Sequence, residues 1–153
     1  MWYTGSGDVV KYEQIVALIK EHSRNNGSVF IGTDSFLKSE SCIFSTAICL
    51  HGADGQRGGR YFIKRNKIKD SNIPLVTRMT EEVHRSVETG MKLIEQGIRV
   101  KIEIHIDVSA PNAAAATSKY SDMLTGYAKG AGFDAKVKPN SWASSAIADK
   151  HSK

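Results

Sequence analysis

From residue 99 to residue 108 the chain alternates without a break: Val100, Ile102, Ile104, Ile106 and Val108 are apolar, and Arg99, Lys101, Glu103, His105 and Asp107 are polar. A period of two is the pattern of a strand with one face against a core. Just before it, Val76, Met79, Val83, Val87 and Ile94 recur at helical spacing over residues 75–96, behind Pro74 and ahead of Gly97. A long amphipathic helix therefore feeds this strand. Such a crossover belongs to a layered α/β domain rather than to a helical bundle or a β-sandwich.

The remaining segments extend that order. A helix is expected over about residues 10–22, with Ile15, Leu18, Ile19 and His22 on one stripe, Asp8 as N-cap and Asn25-Asn26-Gly27 as its stop. Strands are expected over 29–33, 42–50 and 60–65, the last two joined by the glycine-laden turn 51–59, and their short connections favour an antiparallel meander. After the alternating strand come an alanine-rich helix from about Asn112 to Lys129, a short strand over 133–138, and a last helix opened by Pro139-Asn140-Ser141. The sequence thus predicts a single α/β domain with a five-stranded mixed sheet in the order β-β-β-α-β-α-β-α. Residues 1–27 form an N-terminal helical extension and 28–153 the core. Strands reached by helical crossovers run parallel to the first, so Asp34 and Asp107 would both sit at carboxyl ends of parallel strands, the edge where open α/β sheets bind ligands.

At 153 residues the chain can bury a core without help from metal or disulfide. Cys42 and Cys49 fall on opposite faces of one expected strand and cannot bond to each other. No apolar run approaches the roughly 20 residues of a membrane span, and the first residues lack the regions of a signal peptide, so no membrane contact and a cytoplasmic location are expected. With 21 Lys+Arg against 16 Asp+Glu, the formal net charge of +5 admits an anionic partner such as nucleic acid.

Four acids stand out. Asp34 ends an apolar run, where a carboxylate is costly unless paired, hydrogen-bonded or bound to a cation; taken alone, a turn-starting Asp-Ser that caps the strand is the better explanation. Asp107 sits in the same way at the end of the alternating strand. Two carboxylates side by side repel unless a cation lies between them, so the pair favours a metal site. On the long helix, at about 100° per residue, Glu82 lies about 100° from the centre of the apolar stripe and Glu81 about 160°, so Glu82 borders the packed face. In the last helix Trp142, Ser145, Ala146 and Asp149 follow i, i+3, i+4, i+7 spacing, which would put Asp149 on the face of a core anchor.

Gly32-Thr33-Asp34-Ser35, Arg78-Met79-Thr80-Glu81-Glu82-Val83, His105-Ile106-Asp107-Val108 and Ser144-Ser145-Ala146-Ile147-Ala148-Asp149-Lys150 together resemble the ribonuclease H-like superfamily, and more closely its YkuK-type family of predicted nucleases. The resemblance covers roughly residues 28–153. It implies a three-layer fold and phosphodiester hydrolysis with two Mg²⁺ or Mn²⁺ ions about 4 Å apart. Asp34, Glu82, Asp107 and Asp149 would be the ligands, with His105 and His151 as possible proton carriers.

Between Arg57 and Lys69 the basic residues Arg57, Arg60, Lys64, Arg65, Lys67 and Lys69 meet no acid. With Lys38 and Lys150 they could hold phosphates, and Tyr61 or Phe62 could add a stacking surface; a solvated edge strand guarded by charge is the plainer explanation. The sequence therefore points to a metal-dependent nuclease acting on RNA, DNA or a hybrid. A non-catalytic RNA- or DNA-binding module of the same fold is the alternative.

Overall fold

The structure is a computed structural model that describes residues 1–111 and 113–153. Its centre is a sheet of seven strands: β1 (Trp2–Thr4), β2 (Val9–Val10), β3 (Ser28–Leu37), β4 (Cys42–His51), β5 (Arg60–Ile68), β6 (Ile102–His105) and β7 (Asp134–Lys136). The spatial order is β2-β1-β5-β4-β3-β6-β7. β3, β4 and β5 form the expected antiparallel meander, β6 joins β3 in parallel and β7 joins β6 in parallel.

The five expected strands are present, and two more precede them. Trp2–Thr4 pairs with β5 and turns through Gly7 to Val9–Val10. β5 is therefore not an edge strand, and the N-terminal extension is a small hairpin followed by α1 (Tyr12–Arg24) rather than a helix alone. Three helices, α1, α2 (Leu75–Glu95) and α3 (Ser121–Gly130), cover one face of the sheet. The main core lies beneath them, with Ile15 and Ile19, Met79, Val83 and Val87, and Leu124 packed on Val29, Ile31, Ile48, Phe62, Ile102 and Ile104. A π-helical segment, Ala143–Ala148, continues into α4 (Asp149–Ser152) on the other face, over a smaller core of Ala47, Cys49, Ile63, Ala143 and Ala148. The molecule is thus a helix–sheet–helix sandwich with two unequal cores.

Three expected elements change. The alanine-rich helix begins only at Ser121, after a 3₁₀ turn at Ser118–Tyr120. Its expected start, Asn112, lies outside the described residues. Ala113 to Ala116 are exposed, and helix propensity without an apolar face to bury does not hold a helix in water. The alternating strand keeps its face pattern, since Ile102, Ile104, Ile106 and Val108 are buried, but its ladder spans only Ile102–His105. In the final segment the wider π turn shifts the buried stripe to Ser144, Ala148 and Ser152. Trp142 is 37% exposed and leans on Phe30 instead of anchoring the core.

Candidate active site

The site grows from a divergence of two parallel strands. β3 and β6 stay paired from Val29 and Ile102 to Gly32 and His105, where the ladder ends. β3 runs on beside β4 through Leu37, while the chain after His105 turns toward β7, with Ile106 N–H donating to the Lys136 carbonyl at 2.8 Å. Two residues past the last pair on either side stand Asp34 and Asp107, flanking the crevice that opens where β3 keeps β4 but parts from β6.

α2 brings the third acid through two hydrogen-bonded rungs. Thr33 Oγ lies 2.7 Å from Ser86 Oγ and 3.0 Å from Thr46 Oγ, and Ser35 Oγ donates to Glu82 Oε2 at 2.5 Å. Two residues of strand and four residues of helix both span about 6–7 Å, so the i, i+2 hydroxyls of β3 match the i, i+4 groups of α2. This match fixes the helix along the strand and sets Glu82 at the crevice. Glu81 turns away, pairs with Arg85 at 2.9 Å, and lines a cavity of about 540 Å³ between α2 and β5.

The terminal segment brings the fourth acid across the other face. A Cβ on Gly32 would lie 2.4 Å from the Ser144 nitrogen and 2.6 Å from the Ala143 carbonyl carbon, so only glycine admits this backbone against β3. His105 fixes the same point. Its Nδ1 accepts the Ala143 N–H at 3.0 Å, which leaves Nε2 to donate to Glu103 at 2.9 Å. Carried from there, Ser152 is fully buried and donates to Asp34 Oδ2 at 3.0 Å, and the Asp149 carboxyl comes within hydrogen-bonding reach of the Asp34 carboxyl. Neither Ser35 nor Ser152 stands out in the sequence. Ser35 could have been found from its parity, opposite to Asp34 and toward the helix, whereas Ser152 depends on the π register.

A family model described as Ribonuclease H-like matches residues 10–153. The chain belongs to the ribonuclease H-like family. The match takes in α1, which lies outside the span of the sequence resemblance. No curated protein and no solved structure matches the chain.

In this ribonuclease H-like chain the acids share one electrostatic field. Burial, followed by the charges of Asp107 and Asp149, raises Asp34 to about 7 against the pull of the Ser152 hydroxyl. Burial also raises Glu82 to about 8, with the charges of Asp34 and Asp107 adding to it and Ser35 and Arg78 opposing. Asp107 Oδ1 has Lys138 Nζ at 3.0 Å, yet the ammonium lies outside hydrogen-bond geometry, so that oxygen has no hydrogen-bond donor. Ser45, beside Asp34 in the β3–β4 register, also has a buried hydroxyl without a partner. Among the described residues no group of three His, Cys, Asp or Glu side chains is already drawn together as metal ligands. The donor set nevertheless suits a hard divalent cation, since it consists of carboxylate oxygens, one of them unpartnered on Asp107, and since burial disfavours the charged forms of Asp34 and Glu82, which a cation would favour.

The remaining candidates divide. His105 is 1% exposed, both its ring nitrogens are engaged, and burial lowers its pKa, so it positions the terminal segment and has no free nitrogen for proton transfer. His151 Nε2 lies 3.0 Å from the Tyr61 hydroxyl, and burial followed by Arg65 and Lys150 lowers its pKa. The basic residues do not form one surface. Arg60 and Lys64 share the α2 face with Phe62, whereas Arg65 and Lys67 face the terminal-helix side with Ile63. Arg57 and Arg60 lie at the β4–β5 end of the sheet, remote from Asp34, while Lys38 follows β3 at the acidic end and Lys150 is exposed on α4. Phe62 is buried and Tyr61 is occupied by His151, so neither is free to stack on a base.

Proposed function

We propose that the chain is a metal-dependent nuclease, in which Asp34, Glu82, Asp107 and Asp149 hold two divalent cations, Mg²⁺ or Mn²⁺. What supports this reading is that Asp34 of β3 and Glu82 of α2 are pushed to about 7 and about 8, with Asp107, just past β6, adding to both and Asp149 of α4 adding to Asp34. Burial is the first cause of both shifts and the neighbouring acids add to it against the serine hydroxyls, so a group that brings positive charge would relieve both. When bound, such cations supply charge neutralisation for a phosphodiester and a water acidic enough to attack it. Ser35 and Ser152 hold Glu82 and Asp34 in place, and the glycine contact at residue 32 keeps Asp149 at the crevice. Membership of the ribonuclease H-like family supports a nuclease or nucleic-acid-binding role, and no helix is long and apolar enough to cross a membrane.

A cleavage assay over single-stranded and duplex DNA, RNA, hybrid and branched substrates with Mn²⁺ tests the proposal. Cleavage by the wild-type chain that disappears in Asp34→Asn is the expected result. Tight binding to all of these without cleavage would instead make the chain a nucleic-acid-binding module.

A further inference from the structure

The sheet face that carries Asp34 has one more row beyond the end of α4. In the unbroken register Asp34 pairs with Ser45 and Ser45 with Arg65; one row further, Phe36 pairs with Ile43 and Ile43 with Lys67. Side chains two residues apart return to the same face, so Phe36, Ile43 and Lys67 look out on the side of Asp34. The first row is covered at its centre, where Ser45 is fully buried and Ser152 sits on Asp34. The second is open: Phe36 is 37% exposed, Ile43 half-buried and Lys67 exposed. An aromatic ring therefore stands about 7 Å along β3 from Asp34, and Arg65 and Lys67 lie two strands away, about 10 Å across the sheet.

A lone exposed aromatic needs no explanation. This one continues into Ile43 and ends at two cations that, among the described residues, pair with no carboxylate. Arg65 rests over the Tyr3 ring at 5.8 Å, which holds it in place without neutralising it. A ring, a flat apolar strip and free positive charge beside a site built for a phosphodiester match the face and backbone of an unpaired nucleotide. A paired base inside a duplex has both faces stacked on neighbours and cannot lie on Phe36.

We infer that this row binds single-stranded nucleic acid, with Phe36 stacked on the base next to the phosphate at the acids, and Arg65 and Lys67 holding phosphates further along the strand. The inference rests on the nuclease reading and names its substrate class: a single strand or a splayed end, rather than an intact duplex.

Fluorescence anisotropy with a labelled oligothymidylate and a labelled blunt duplex tests it, in an Asp34→Asn background so that neither probe is cut. Phe36→Ala should weaken single-strand binding roughly five- to one-hundred-fold and leave the duplex unchanged, and Phe36→Tyr should restore it. Arg65→Ala and Lys67→Ala should each weaken binding and lower the salt slope by about one phosphate contact. A Phe36→Ala chain that binds the single strand as tightly as its parent, or loses both probes by one factor, overturns the assignment. The nuclease reading fails separately. Wild-type chain that binds the single strand through Phe36 but cuts nothing with Mn²⁺ removes that reading and keeps the row; cleavage indifferent to Phe36 does the reverse.

Discussion

A methyl group at position 32 has nowhere to go, because the backbone of Ala143 and Ser144 already fills the space. Gly32→Ala should push the terminal segment off β3 and cost about 1–3 kcal/mol in urea unfolding. Gly126 in α3 has nothing within 4 Å of its ideal Cβ, and the same change there should stabilise by about 0.5–1 kcal/mol through helix propensity alone. Equal effects at the two positions would refute the packing account. Among the acids, calorimetry with Mn²⁺ should show binding that Asp34→Asn and Asp107→Asn abolish and that Glu81→Gln leaves intact; heat lost equally in Glu81→Gln would return the choice between the two glutamates to open. That Glu82 meets Ser35 of β3 while Glu81 pairs with Arg85 was legible in the sequence, because the angle of each glutamate from the apolar stripe depends only on helix geometry, and α2 formed where its periodicity put it. The hydroxyls of Ser35 and Ser152 were not legible as partners, since a serine carries no periodic signal and its role is set by what the fold packs against it.

At the level of elements, the two hydroxyl rungs between β3 and α2 separate stability from site geometry. Thr33→Val keeps the shape but leaves the buried Ser86 and Thr46 hydroxyls short of a partner, and should cost about 1–3 kcal/mol in urea while sparing most Mn²⁺ affinity. Ser35→Ala releases Glu82 from a half-buried position and should do the opposite, with little lost stability and clearly weaker Mn²⁺ binding. Matching losses in both measurements for both variants would mean the rungs act as one unit. Long, strongly periodic elements such as α2 and the alternating strand could be read from the sequence because a buried face leaves a periodic trace over many residues. The β1–β2 hairpin left none, being strands of three and two residues that exist because β5 offers an edge. The terminal segment was misread for a different reason. An α-helical wheel groups Trp142 with Asp149, whereas the π turn inserts an extra residue and buries Ser144, Ala148 and Ser152 instead, yet Asp149 still reaches Asp34.

Across the whole molecule, the net charge of +5 conceals an acidic crevice whose ionisation works against the fold. Asp34 and Glu82 titrate near 7 and 8 in the folded chain, against ordinary values of 3.8 and 4.5. Below about pH 4 both folded and unfolded chains hold these protons, and the two acids cost nothing. As pH rises from about 4 to about 8 the unfolded chain releases protons that the folded chain still binds, so folding loses stability across that window; above it both states are ionised and the loss stops growing. A divalent cation binds the ionised acids and should offset this loss, and its effect should grow with pH. The melting temperature of the metal-free chain is therefore expected to fall between pH 5 and pH 8 more steeply than that of the Asp34→Asn/Glu82→Gln variant. Mn²⁺ should raise the wild-type melting temperature more at pH 8 than at pH 6, and leave the variant unmoved. An equal rise in both proteins, or one that shrinks as pH increases, would mean that the cation binds elsewhere and that the four acids are held together for some other reason.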